Sequence, residues 1–157
     1  MKNSKTWLRL CVVLLTSIVL VPIVFAGNVR ILWKNDWRNV KIGEKTYSTD
    51  VGPQLIENEY FFPLRFLAEF MGHKVFWLDH EKSVLVRGQG RNIKIWYGEE
   101  KYESLGQEKT FSDLPIILRD RMLVSRSFIS EELALETKEI EPEKGGYHLL
   151  MEIDEDR

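Results

Sequence analysis

The sequence predicts an α+β fold: two repeated units of antiparallel β-hairpins with a short helix, the sheet curled around the helix. Three observations predict it. One stretch recurs further down the chain, since Pro53 to Glu69 lies over Pro115 to Glu131 without a gap, matching Pro53 with Pro115, Phe66 with Phe128 and Glu69 with Glu131. Turn-forming residues punctuate short apolar runs at hairpin spacing. The one strongly helical segment is short and apolar on nearly every side, so it demands burial on several sides.

Residues 1–26 stand apart from that pattern. Lys2, Lys5 and Arg9 precede an apolar run from Leu10, which closes on Val24-Phe25-Ala26 with small or modest residues at the −3 and −1 positions. This is the layout of a secretory signal peptide cleaved after Ala26. The run to Phe25 is shorter than the about 20 apolar residues a membrane span requires. Uncleaved, the same segment is a membrane anchor, the only membrane attachment expected. Cys11, the sole cysteine, leaves with it.

Residues 27–38 form an N-terminal lead-in, and 39–157 hold the two units, about 39–90 and 91–153. In the first, Leu55-Ile56 and Tyr60-Phe61-Phe62 flank Glu57-Asn58-Glu59, where Asn tolerates turn dihedrals. Pro63 suits a first helical turn, and Leu64, Leu67, Ala68 and Met71 follow at helical spacing. Gly72 is placed to end the helix in the left-handed region. Residues 74–78 and 83–87 alternate around Asp79 to Lys82 as a second hairpin. Gly88-Gln89-Gly90 then turns the chain into Asn92 to Tyr97. The second unit repeats this order around Arg119-Asp120-Arg121, with Ser125 in place of Pro63 and closing strands over 135–140 and 147–153. Upstream, Val40-Lys41-Ile42 and Ile93-Lys94-Ile95 suggest a further match at a different spacing.

Charge and composition exclude several functions. The 157 residues include 22 basic and 24 acidic side chains, without the basic excess that phosphate neutralisation requires, so no nucleic-acid partner is expected. A single cysteine excludes an internal disulfide framework and a cysteine zinc site. Ten acidic and three basic residues crowd Glu131 to Arg157, which reads as a solvated face or tail. No Gly-x-Ser-x-Gly elbow is present. The pairs Glu99-Glu100 and Glu131-Glu132 are adjacent, so their side chains diverge and cannot flank one glycosidic bond. Gly88-Gln89-Gly90-Arg91 opens no helix and is no phosphate loop. Trp33 and Trp37 lie in a polar stretch before the repeat and are the residues expected to contact a ligand.

Phe62-Pro63-Leu64-Arg65, Ala68-Glu69, Gly72 and Val75-Phe76-Trp77 together resemble the copper amine oxidase N-terminal-like domain, also called the stalk domain. The resemblance spans about residues 39–135. It implies a secreted bacterial accessory module without catalysis, and it marks Pro63, Leu64, Arg65, Glu69, Gly72 and Trp77 as structural, with Trp77 packed on its strand. Arg65 is expected to pair with Glu69 or to cap a carbonyl. An oxidase centre needs three histidine ligands and a modifiable tyrosine. This chain has only His73, His80 and His148, with His73 and His80 expected in surface turns, so no metal and no cofactor are expected. The expected role is binding or spacing at the cell envelope, with wall glycan, another envelope protein or a second copy as partner. The alternative is a secreted hydrolase acting on wall polymer, or an inhibitor of one.

Overall fold

The computed structural model describes residues 30–142 and 146–153. The expected signal segment, residues 27–29 of the lead-in, residues 143–145 of the junction and the last residues, 154–157, lie outside the described residues. Fourteen short strands and two short helices are described, so the protein is mostly β, with three antiparallel sheets, one curled into a half-barrel. The α+β expectation overstated the helices, which are only seven and eight residues long.

The first unit runs β1 (Ile31–Trp33), β2 (Asn39–Ile42), β3 (Lys45–Ser48), β4 (Gln54–Ile56), β5 (Glu59–Pro63), α1 (Leu64–Phe70), β6 (Lys74–Leu78) and β7 (Ser83–Gly88). The second runs β8 (Arg91–Trp96), β9 (Lys101–Ser104), β10 (Gln107–Thr110), β11 (Ile116–Leu118), β12 (Arg121–Ser125), α2 (Arg126–Leu133), β13 (Leu135–Glu139) and β14 (Leu149–Ile153). One offset of 62 residues carries β2, β3, β4 and β5 onto β9, β10, β11 and β12. It also carries Ile31-Leu32-Trp33 onto Ile93-Lys94-Ile95. The upstream match of Val40 to Ile93 is therefore corrected: Val40 corresponds to Tyr102. Alternation marks any half-buried strand and does not by itself say which strand of one unit corresponds to which of the other.

The units are interlocked. One sheet runs β13-β14-β1-β2-β3 and another β10-β9-β8-β7-β6, so each combines the closing hairpin of one unit with the opening strands of the other. The third, β11-β12-β5-β4, joins them at an approximate dyad. There Phe62 pairs with Val124, its own counterpart, flanked by Phe61–Ser125 and Pro63–Leu123. β1 is thus a central strand of its sheet, and what read as a lead-in contributes to the core.

Turn chemistry accounts for the hairpins. Glu57 and Asn58 both have positive φ (49° and 69°), as do Arg119 and Asp120 (50° and 59°), which is the primed turn that matches strand twist. Gly72, at φ +82°, ends α1: its N–H donates to Glu69 O, and the N–H of His73 donates to Ala68 O. These are the two bonds of a Schellman cap. Pro63 closes β5 and stands at the helix N-cap, one residue before the expected position.

α1 buries one side, not all of them. Leu64, Leu67 and Ala68 are buried, Phe66 and Phe70 are half-buried, and Arg65 and Glu69 are exposed. No single sheet wraps it; it lies against β12, β6 and β5. Phe66 packs edge-on against Trp33, with ring centroids 5.4 Å apart. On the other side of the dyad, Phe128 of α2 packs edge-on against Tyr102 at 5.1 Å.

Candidate functional site

Strand register places a row of side chains on one face of the β6–β10 sheet. Trp77 pairs with Val84, Val84 with Ile95, and Ile95 with Tyr102. Val84, Ile95 and Tyr102 are buried. At the edge strand β6 the row emerges into solvent, and Trp77 is 44% exposed. This corrects the expectation that Trp77 is packed: among the described residues β6 has a neighbouring strand on one side only, which leaves the indole partly open to solvent.

A cleft of about 530 Å³ opens there. Leu64, Val75, Val84 and Met122 are apolar parts of its lining, with Trp77, Tyr97 and Ile117 presenting exposed apolar surface and Arg65, Asp120 and Arg121 supplying charge. The Trp77 indole N–H donates to Asp79 Oδ1 at 2.5 Å, which fixes the ring and leaves its faces for other contacts. Arg121 is engaged: Nε donates to Asp50 Oδ2 at 2.7 Å, Nη2 lies 2.5 Å from the same oxygen, and Nη1 donates to Asp120 O. Arg65 forms the expected pair with Glu69, but at 3.8 Å and with both side chains about half exposed. Arg65 also lines a smaller neighbouring depression of about 160 Å³, together with Glu69 and Arg121.

The expected ligand contacts lie elsewhere. Trp33 is fully buried in the core, and its indole N–H donates to Trp37 O at 2.7 Å, so it offers no surface. Bulk and a central position in its sheet override the polar neighbourhood in sequence. Trp37 is exposed, but the Lys34 ammonium sits 3.5 Å from its ring centroid. Trp37 is not among the cleft residues. Of the family-motif residues, Leu64, Arg65 and Trp77 meet in the cleft. Pro63 and Glu69 line the smaller depression, and Gly72 caps the helix. Tyr97 was readable only as a strand residue sharing a face with Ile93 and Ile95; in fact it follows the end of β8 and is exposed.

A buried carboxylate in the second unit was also missed. Glu132 belongs to the run read as solvated, yet it is 3% exposed. It accepts hydrogen bonds from Tyr102 Oη at 3.0 Å, Ser104 Oγ at 2.6 Å and Lys109 Nζ at 2.6 Å. Burial pushes its carboxyl up, but the three donors outweigh burial and hold it below the ordinary range. The same burial, reinforced by the Glu132 charge, pushes the Tyr102 phenol up. The first-unit counterparts of Tyr102, Ser104 and Glu132 are Val40, Ile42 and Phe70.

The histidines do not assemble. His73 is buried, against the surface position expected of it. Its Nδ1 lies 3.1 Å from Gly88 O and is the donor there, since a carbonyl only accepts. Burial holds its imidazole below the ordinary value, opposed by that bond and aided by Arg91. His80 is exposed and next to Glu81, while His148, beside β14 in the other large sheet, accepts from the backbone N–H of Asn35 in that same sheet's β1–β2 connection. Among the described residues, no three His, Cys, Asp or Glu side chains group as metal ligands. The donors present do not fit a copper centre.

The chain belongs to the copper amine oxidase N-terminal domain family, whose family model matches residues 40–145. No curated protein matches the chain.

Proposed function

We propose that this protein is a non-catalytic binding module, exported and working at the cell envelope, which takes its ligand in the cleft beside Trp77. The observation that carries this reading is the contrast between the two ends of the dyad. Across the dyad, the counterparts of Trp77, Tyr97 and Arg121 are Glu139, Asn35 and Glu59, and that of Leu64 is Arg126. There the Arg126 backbone N–H donates to Glu59 Oε1 at 3.0 Å and the guanidinium lies 3.6 Å from Oε2, so carboxylate and cation neutralise each other. Folding requires the same backbone at both ends, but it does not require exposed aromatic rings at one of them. Large apolar side chains half open to water and gathered around a concavity are the signature of a recognition surface.

The expected ligand is a component of the cell wall. Purified protein is expected to pellet with insoluble wall material and to release no soluble fragments from it. The double variant Trp77→Ala, Tyr97→Ala is expected to stay in the supernatant. Normal pelleting by that variant, with its thermal melt unchanged, removes the cleft from the reading; release of fragments by the parent protein replaces it with a hydrolase.

A further inference from the structure

We infer that the ligand is an acidic glycan, a pyranose ring bearing a carboxylate, with the ring against Trp77 and Tyr97 and the carboxylate on Arg65. The inference rests on the cleft being the binding site and specifies what enters it. The Trp77 N–H is already committed to Asp79, so the indole has only its π faces to offer. An aromatic face suits the C–H face of a sugar ring, which is apolar although the ring's rim is polar.

The charge comes from Arg65. Arg121 already donates to Asp50 and to Asp120 O, and has little left for a ligand. Among the described residues Arg65 is paired with Glu69, at a distance too long for a hydrogen bond, and its side chain is 47% exposed. Its planar fork matches a carboxylate in two-point geometry. The second unit has Ser127 at the equivalent place, so the guanidinium is no requirement of the fold. Glu69 lies beside it and Asp120 lines the same cleft, which disfavours a densely charged polyphosphate and suits one carboxylate on an otherwise neutral ring. A lactyl ether on a wall amino sugar and the uronate of an acidic polysaccharide share this chemistry.

Titration calorimetry on the purified protein tests the inference with three probes: a short oligogalacturonate, a muramyl disaccharide with a free lactyl carboxylate, and a neutral cello-oligosaccharide of similar length. At least one acidic probe is expected to bind about tenfold more tightly than the neutral one, the contribution of a partly exposed charge-assisted hydrogen bond. The acidic probe that binds identifies the source of the carboxylate. Arg65→Gln is expected to abolish the difference while leaving the melting temperature unchanged, and Tyr97→Ala to weaken acidic and neutral binding alike. Equal affinity for acidic and neutral probes, or no effect of Arg65→Gln, overturns the inference and leaves the binding module intact. Failure of every glycan, with wall pelleting still lost in the double aromatic variant, overturns it too and points to a wall-associated protein or peptide as the occupant.

Discussion

Glu132 and His73 respond to pH through opposite physics. The Glu132 carboxylate is stabilised as an anion by three donors, so its folded value lies below the unfolded value of 4.5. Its contribution is full above that pH and is lost as pH falls through the folded value. His73 is held neutral, with its folded value below 6.5, so the unfolded chain takes up the proton first. Stability then begins to decline once pH falls below 6.5. Acid unfolding is expected to show two stages, and His73→Gln should flatten only the upper one. Glu132→Leu should cost about 2–3 kcal/mol by chemical denaturation, because the Tyr102 and Ser104 hydroxyls lose their acceptor. Adding Tyr102→Val and Ser104→Ile, the first unit's own choices, should recover most of that loss, as apolar groups do when they replace a buried polar network. None of this was legible in the sequence. The donors lie 23 to 30 residues from Glu132, and only the tertiary fold brings them together.

At the level of elements, legibility followed local chemistry. Glu57-Asn58, Arg119-Asp120 and Gly72 need particular backbone angles, and they were read correctly because the reason lies within the turn itself. The hairpin of β6 and β7 was placed to within a residue, since alternation and turn residues sufficed. Exposure was not legible. Strand position in a sheet decides whether Trp33 or Trp77 faces water, and nothing in either tripeptide encodes an edge. Helix α1 illustrates the same limit: apolar residues on every side suggested burial on every side, yet Phe66 and Phe70 are half-buried. Leu67→Ala should therefore cost about 2–5 kcal/mol, the range for a fully buried leucine. Phe70→Ala should cost less than Leu67→Ala, because part of its ring already meets water. Urea midpoints of the two variants, compared at constant m-value, check the order.

Across the whole molecule, the repeat was legible at the dyad and not at its ends. Pro53/Pro115 and Phe66/Phe128 flank the β5–β12 pairing, where both copies must meet the same packing demands. Away from it the copies diverge, aromatic at Trp77 and acidic at Glu139, because the fold asks only for a strand there. That divergence is what makes one end a candidate binding site. It also explains why motif residues expected to be structural, Arg65 and Trp77, prove to be exposed.

The pairing of β1 with β14 sets Ile31 beside Met151, so the first and last described strands lie side by side. In the other large sheet the same relation holds between β8 and β7, but there the chain passes directly through Gln89 and Gly90. The two junctions are equivalent by the dyad, one open and one closed. A circularly permuted chain, opened between Gln89 and Gly90 and joined through a flexible linker from β14 to β1, should keep every strand pairing. It should unfold in one transition with the far-ultraviolet spectrum of the parent. A chain cut at the same place but left unjoined, and expressed as β1–β7 alone, should not fold, because β1 and the β6–β7 hairpin would each lose the neighbour that the other unit supplies. The two units, each completing the other's large sheet, then fold together as one.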